Sequence, residues 1–276
     1  MRPYAILSRA AAAARAREQG RDDPILDDPQ AAAAAGADGV RLLNELDGLH
    51  PGDPTAVNPL AVRARFLDDF ARAVLAASPI AQVVLIAPAF DTRADRIDWP
   101  AAARLFLLDD PEDLEDRRAL GPPLRRHGAA IPVAGRLGTP WPEALATAGF
   151  DPTATSLWLL EGVLIGLDEG GVHHLLHHLA ALAAPGSHLG LDVIGRSTLA
   201  MPPLGPALAH LRTLGVGWRF GHDQPERLLA TYGWRAEVTQ LGDAAVTYGR
   251  ADGPMPPRGL PGVPREFLVT AHRRGG

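Results

Sequence analysis

Short apolar runs separated by helical segments dominate the chain after residue 80. Five of these runs are continuously apolar: QVVLIA (82–87), RLFLLD (104–109), IPVA (131–134), SLWLLEG (156–162) and HLGLDVI (188–194). Continuous apolar runs indicate strands that are buried on both faces, as in a parallel sheet covered by helices. WRAEVTQL (234–241) and REFLVTAHR (265–273) alternate polar and apolar residues, which predicts a closing pair with one antiparallel member. The pattern therefore predicts an α/β fold with a seven-stranded sheet.

The first 80 residues have a different pattern, which predicts helices near 4–20, 29–37 and 61–78. In the last of these, Phe66, Phe70 and Val74 recur at helical spacing and form one apolar face. We expect residues 1–80 to form an N-terminal helical cap on an α/β core of residues 81–276. Residues 196–225 are rich in glycine and proline and predict an insertion before the sixth strand that roofs a site.

Composition narrows the classes of function. The chain has 276 residues, 46% of them hydrophobic, and a net charge of −5, which gives no reason to expect a nucleic acid or a membrane as partner. It contains no cysteine, and all 27 basic residues are arginine. Thiolate catalysis, lysine Schiff bases and P-loops are thereby excluded. The first twenty residues lack a sustained apolar segment, so we expect a cytoplasmic protein.

Candidate ligand-binding residues follow four of the predicted strands. They are the segment Ala87–Asp91, the pair Asp109 and Asp110, the segment Gly135–Leu137, and Glu161. In an open parallel sheet the ligand binds beyond the carboxyl ends of the strands, and an acid after the second strand commonly holds ribose hydroxyls. These residues therefore predict a nucleotide-like ligand at that edge of the sheet.

Several ordered motifs give the chain a specific resemblance. QVVLIAPAFDTRADRIDWP, LLDDPEDL and GFDPTATSLWLLEGVL are similar, at the right spacing, to stretches of the leucine carboxyl methyltransferase family. VRARFLDDF, FGHDQPERLLATYGW and GVPREFLVTAHR extend the likeness almost from end to end. The resemblance implies a seven-stranded class I methyltransferase fold and S-adenosyl-L-methionine as cofactor. It further implies methyl transfer to an oxygen, carboxylate or hydroxyl, of a small natural-product-like acceptor.

The resemblance also implies roles for individual residues. Arg63 would pair with the methionine carboxylate and Asp109 with the ribose hydroxyls, while Glu161 would face the methionine end of the cofactor. The loop Ala87–Asp91, with Ala89 at its centre, would pass under the sulfonium. The family's adenine-contacting pair falls on Arg136 and Leu137. A guanidinium can bind a carboxylate through two parallel hydrogen bonds, which fits the first of these roles.

Four positions depart from the family pattern. Ala89, preceded by Pro88, replaces the second loop glycine, Leu107 replaces a glutamate, Arg136 replaces an aspartate, and Gly166 replaces an aromatic residue. A methyl group takes up space where backbone approaches a ligand, and arginine cannot accept a hydrogen bond from the adenine amine. The departures predict that S-adenosylmethionine binding is weakened or lost.

Three functions stay open at this point. The first is O-methylation, in which His222 of the insertion is a candidate general base for a hydroxyl acceptor or merely an exposed loop residue. The second is a SAM-independent cyclisation or rearrangement in natural-product biosynthesis on the same fold. The third is non-catalytic binding of a small molecule.

The segment VHHLLHHL (172–179) pairs His173 with His177 and His174 with His178 at helical spacing. A structural metal site requires further ligands, and no third ligand is close in the sequence. The segment is moreover predicted as the helix after the fourth strand, away from the ligand edge. We predict no metal site.

Overall fold

The computed structural model describes residues 3–49, 59–121, 130–243, 246–249 and 255–275. One sheet has the order β3-β2-β1-β4-β5-β7-β6. Its strands are β1 Gln82–Ile86, β2 Arg104–Asp109, β3 Ile131–Ala134, β4 Ser156–Leu160, β5 His188–Ile194, β6 Trp234–Gln240 and β7 Glu266–Arg273. β7 is antiparallel to both β5 and β6, and the remaining pairs are parallel. The predicted seven-stranded α/β fold is therefore confirmed.

The sheet is buried on both faces, as the continuous apolar runs require. Val84 of β1 is paired with Phe106 of β2 and Trp158 of β4, and all three belong to the core on one face. Val83 and Leu85 point to the opposite face, where they join a second apolar cluster. Successive residues of a strand thus contribute to different helical layers, and both layers exclude water from the strands.

Ten α-helices are formed by the described residues, together with 3-10 turns at Leu164–Gly166 and Pro202–Leu204. The helices are α1 Pro3–Gln19, α2 Ala31–Leu49, α3 Pro59–Ala77, α4 Arg93–Arg96, α5 Pro111–Arg118, α6 Trp141–Thr147, α7 Glu169–Leu182, α8 Arg196–Leu199, α9 Gly205–Thr213 and α10 Pro225–Ala230. Within the described ranges, no helix combines the length and the apolarity that crossing a membrane requires.

The second helix is longer than the predicted 29–37, because it continues to Leu49 across a kink at Gly36. Leu42 and Leu43 of this continuation are buried in a cluster that also holds the alanines of α1. A Cβ atom at Gly39 would lie 2.4 Å from the carbonyl oxygen of Arg9. Glycine at this position therefore allows α1 and α2 to pack closely.

The segment 196–225 is more regular than its glycine and proline content predicts. It contains α8, the 3-10 turn at Pro202–Leu204 and α9. Leu211 of α9 is buried in the same cluster as α1 and α2, and Trp218 packs against that cluster. The segment and the N-terminal helices thus share one apolar core, whereas the domain boundary at residue 80 stays a prediction.

Candidate functional site

A cavity of about 450 Å³ lies at the carboxyl ends of β1, β2, β3 and β4. We call the lining residues that follow these strands the floor, and those of α1, α2, α3 and α9 together with Trp218 the roof. The eight residues that the sequence assigns to a cofactor all line this cavity: Arg63, Ala87, Ala89, Asp91, Asp109, Arg136, Leu137 and Glu161. The structure thus brings them together, while their roles toward a ligand stay predictions.

The loop after β1 keeps a glycine-like backbone without glycine. Ala87 and Ala89 have φ angles of 49° and 38°, in the left-handed region that L-residues rarely adopt. The Ala87 N–H donates to the carbonyl of Leu108 at 2.8 Å, and the Asp91 N–H donates to that of Pro88 at 2.6 Å. These bonds hold the tight turn despite the strain.

Helix α1 fastens this loop through the backbone of Phe90. The Phe90 N–H donates to Ser8 Oγ at 2.9 Å, and its carbonyl accepts from Arg15 Nη2 at 3.0 Å. The guanidinium of Arg9 lies 3.7 Å from the centre of the Phe90 ring. Sequence reasoning missed these contacts, although Ser8 and Arg15 are two helical turns apart and therefore share a face of α1.

Asp109 joins the end of β2 to the same loop. Its Oδ2 accepts the N–H of Ala89 at 2.6 Å, and its Oδ1 accepts the N–H of Asp110 at 2.8 Å. Burial raises the pKa of Asp109 to about 6, although both hydrogen bonds oppose the rise. The neighbouring Asp110 caps α5 by accepting the N–H of Glu112.

The guanidinium of Arg63 faces three carboxylates beneath the roof. Its Nε is 3.2 Å from Glu161, and its Nη1 is 3.4 Å from Asp192 and 3.6 Å from Glu266. The pKa of Glu266 is raised to about 7, chiefly by burial and also by the neighbouring acids Asp192 and Glu161, against the opposing effect of Arg63. Asp192 and Glu266 carry no sequence signal for this site, since each lies within an ordinary-looking strand.

A second buried ion-pair network supports the loop from below. Asp68 of α3 accepts from Arg93 Nε at 2.7 Å and from Arg96 Nε at 2.8 Å, and Arg93 also contacts Glu161 at 2.7 Å. The Arg93 N–H donates to Asp91 Oδ1 at 2.8 Å. Asp91 and Arg93 therefore help to hold the turn of the loop.

Arg136 lies at the rim of the cavity. Its Nε is 2.5 Å from Asp110 Oδ2, and its side chain is 59% exposed. Leu137 next to it packs against the core of the sheet. The structure thus pairs Arg136 with a rim carboxylate.

Gly166 provides space for an aromatic ring from another helix. A Cβ atom at Gly166 would lie 2.5 Å from Cε1 of Tyr4, whose hydroxyl donates to the Gly166 carbonyl at 2.9 Å. Tyr4 also lines the cavity. An aromatic ring is therefore retained near this position, but α1 supplies it.

Three ring-bearing residues of the insertion, Trp218, Phe220 and His222, lie in different surroundings. Trp218 lines the cavity, whereas Phe220 is buried in the core of the sheet. His222 is not among the described lining residues, and its Nδ1 accepts the N–H of Gln224 at 3.1 Å. The structure therefore does not bring His222 to the predicted cofactor residues.

The histidines of α7 make contacts of their own. His174 Nε2 and His178 Nε2 are 3.0 Å apart, and His173 Nδ1 is 2.6 Å from the Tyr232 hydroxyl. In the part of the chain that the structure describes, no three histidine, aspartate or glutamate side chains are grouped as metal ligands.

Known proteins share both the sequence pattern and the fold. The family described as leucine carboxyl methyltransferase matches residues 8–180. A Streptomyces coelicolor protein named "Putative S-adenosyl-L-methionine-dependent methyltransferase" is 33% identical over 267 residues, which cover 93% of this chain and 92% of that protein. A Frankia alni protein with a similar name is 34% identical over 247 residues, covering 86% and 84% of the two chains. A crystal structure of a "putative methyltransferase" from Thermobifida fusca has a TM-score of 0.62 at 18% identity and covers 98% of this chain and 95% of its own.

Proposed function

The chain belongs to the leucine carboxyl methyltransferase family, and from this membership we propose that it transfers a methyl group from S-adenosyl-L-methionine to an oxygen of a small natural-product-like acceptor. The observation that carries the proposal is the hydrogen bond between the Ala89 N–H and Asp109. It places the loop after β1 and the acid after β2 against each other at one wall of the cavity. This is the edge at which α/β sheets bind nucleotides.

The floor residues fit the nucleoside part of this cofactor. Each oxygen of Asp109 accepts one backbone N–H, which leaves acceptor capacity for two ribose hydroxyls. Leu137 offers an apolar wall nearby, and the Asp110 carboxylate at the rim can accept a hydrogen bond. The left-handed angles of Ala87 and Ala89 keep the turn that glycine would give.

The methionine end fits less simply, because Arg63 already faces three carboxylates. A further carboxylate on this guanidinium competes with Glu161, Asp192 and Glu266. Protonation of Glu266 lowers this competition, so we expect the site to accept the cofactor more readily on the acidic side of neutrality.

When bound, S-adenosylmethionine supplies an electrophilic methyl group. The protein's own contribution is to orient the acceptor oxygen and to exclude water, since the roof is largely apolar. The described roof places no histidine against the cavity. Catalysis therefore rests on positioning, and the acceptor proton passes to solvent.

The test uses S-adenosylmethionine labelled in the transferred methyl group, with small phenols, alcohols and carboxylic acids as acceptors. We expect label in an organic-extractable product, and loss of most of it in Asp109→Ala. Asp38→Ala is the matched control that should behave as wild type, because Asp38 of α2 is partly exposed, pairs with Arg41 and is not among the described residues that line the cavity. Stable cofactor binding without transfer to any oxygen acceptor would overturn the methylation proposal.

The occupied Arg63 favours one second candidate, a SAM-independent cyclisation or rearrangement in the same cavity. Its guanidinium is already neutralised by carboxylates, which would suit a site that no longer holds a methionine carboxylate. A substrate that turns over equally well with and without S-adenosylmethionine would support this candidate. Turnover that requires the cofactor and yields S-adenosylhomocysteine would exclude it.

A further inference from the structure

Charge is divided between the floor and the roof of the cavity. The carboxylates among the described lining residues all belong to the floor: Asp91, Asp109, Asp110, Asp113 and Glu161. The described roof carries two charged side chains, Arg15 and Arg63. Arg136 is the third cation among the described lining residues, but it lies at the rim, where it is paired with Asp110. The cations that an acceptor meets under the roof are therefore Arg15 and Arg63.

Both roof arginines already have anionic partners. Arg15 Nε is 2.7 Å from Asp28, its Nη2 donates to the Phe90 carbonyl, and its side chain is 2% exposed. Arg63 faces Glu161, Asp192 and Glu266, as described above. An acceptor carboxylate would lose its hydration without gaining a fresh cation, and burial of an unpaired charge is strongly unfavourable.

Apart from the hydroxyl groups of Tyr4 and Ser8, the uncharged side chains of the roof are apolar. Leu43, Leu46 and Leu60 come from the second and third helices, and Leu211 and Trp218 come from the insertion. These side chains belong to one cluster that also contains the loop residues Ala89 and Phe90. Such a surface favours an apolar acceptor, because its binding removes apolar area from water on both sides.

The roof also offers a hydroxyl with a defined direction. The Tyr4 hydroxyl donates its proton to the Gly166 carbonyl at 2.9 Å, so its lone pairs can only accept. A hydroxyl acceptor can donate to these lone pairs, whereas a carboxylate has no proton to give. Tyr4 therefore distinguishes the two classes of oxygen acceptor.

We propose that the acceptor is an uncharged, largely hydrocarbon molecule that binds under the roof and is methylated at a hydroxyl group. This inference rests on the proposed function and narrows it. In the reaction, the hydroxyl oxygen forms a bond to the methyl carbon as the carbon–sulfur bond of the cofactor breaks. The hydroxyl proton goes to solvent, and the products are a methyl ether and S-adenosylhomocysteine.

The experiment compares two probes with one carbon skeleton, 2-naphthol and 2-naphthoate. Each is titrated by calorimetry into the full-length protein, with and without saturating S-adenosylhomocysteine. We expect 2-naphthol to bind at least roughly tenfold more tightly than 2-naphthoate, which corresponds to about 1.4 kcal/mol. Tyr4→Phe should weaken 2-naphthol severalfold and leave the affinities for 2-naphthoate and S-adenosylhomocysteine unchanged.

Equal or tighter binding of 2-naphthoate, or no binding of 2-naphthol up to its solubility limit, would overturn the inference. An unchanged 2-naphthol affinity in Tyr4→Phe would remove Tyr4 from the argument and contradict the proposed discrimination. If 2-naphthol binds as expected but S-adenosylhomocysteine does not bind at all, the proposed function fails while the acceptor class stands. The two failures are therefore distinguishable.

Discussion

The backbone N–H of Ala89 donates a 2.6 Å hydrogen bond to the buried carboxylate of Asp109. The bond joins residues that follow adjacent strands, and it fixes a loop whose backbone angles suit glycine better than alanine. Asp109 both holds the loop and lines the cavity. A substitution in the loop should therefore alter the position of Asp109, and a substitution of Asp109 should alter the loop. The alanine loop accordingly keeps the shape that glycine would give it.

Strain in this loop predicts a stabilising substitution. Ala87→Gly should raise the free energy of unfolding by about 1 kcal/mol, because glycine adopts a φ of 49° without steric cost. Ala73→Gly, at an exposed position within α3, should lower it by about 1 kcal/mol. Urea unfolding of the two variants measures both values. Destabilisation of similar size in both would show that Ala87 is not strained.

The buried network under the loop predicts that substitutions of two adjacent acids, Asp68 and Asp69, differ greatly in how much they destabilise the protein. Asp68→Asn removes the more deeply buried of the two anions that Arg93 and Arg96 share, the other being Asp91, and should cost about 3–5 kcal/mol of stability. Asp69→Asn affects a half-exposed pair with Arg65 and should cost less than about 1 kcal/mol. Chemical unfolding distinguishes them. Similar losses for both variants would contradict the structural role of Asp68.

Because the pKa of Glu266 is raised, we predict that the neutral substitution Glu266→Gln stabilises the protein by an amount that depends on pH. The folded protein holds this proton up to about pH 7, against an ordinary value of 4.5. The stability from protonated Glu266 is therefore fully present below about pH 4.5 and is lost as the pH rises through 7. The free energy of unfolding of Glu266→Gln, relative to that of wild type, should thus increase by about 1–3 kcal/mol from pH 5 to pH 8. Thermal unfolding at both pH values tests this, with the exposed Glu237→Gln as control; a pH-independent difference would contradict it.

The same group predicts how cofactor affinity varies with pH. Above pH 7 the ionised Glu266 competes for Arg63 with any incoming carboxylate, so S-adenosylhomocysteine should bind more weakly at pH 8 than at pH 6.5. Glu266→Gln should remove most of this dependence. Calorimetric titrations at the two pH values give the comparison. If the affinity changed equally between the two pH values in wild type and variant, Arg63 would not be the residue that binds the carboxylate of S-adenosylhomocysteine.

The sheet could be predicted from the sequence because most of its strands are continuous apolar runs. The predicted bounds of β2, β3 and β5 agree with the structure at both ends. It also placed eight residues on one cavity, since strand ends and family motifs share that edge. It could not show Asp192 or Glu266 beneath Arg63, because each contact joins elements far apart in the chain. For the same reason, the sequence could not show that the ring of Tyr4 occupies the space that a side chain at position 166 would fill. Such contacts depend on tertiary packing, which local patterns do not encode.

The most direct measurement is a calorimetric titration of S-adenosylhomocysteine into the wild-type protein and Asp109→Ala at pH 6.5, with Asp38→Ala as control. We predict one site per chain and a roughly tenfold to hundredfold weaker affinity in Asp109→Ala, as expected for the loss of a charged hydrogen-bond acceptor. Asp38→Ala should match wild type, and circular dichroism should confirm that all three proteins are folded. No binding to wild type, or equal affinity in Asp109→Ala, would contradict the assignment of this cavity to the cofactor.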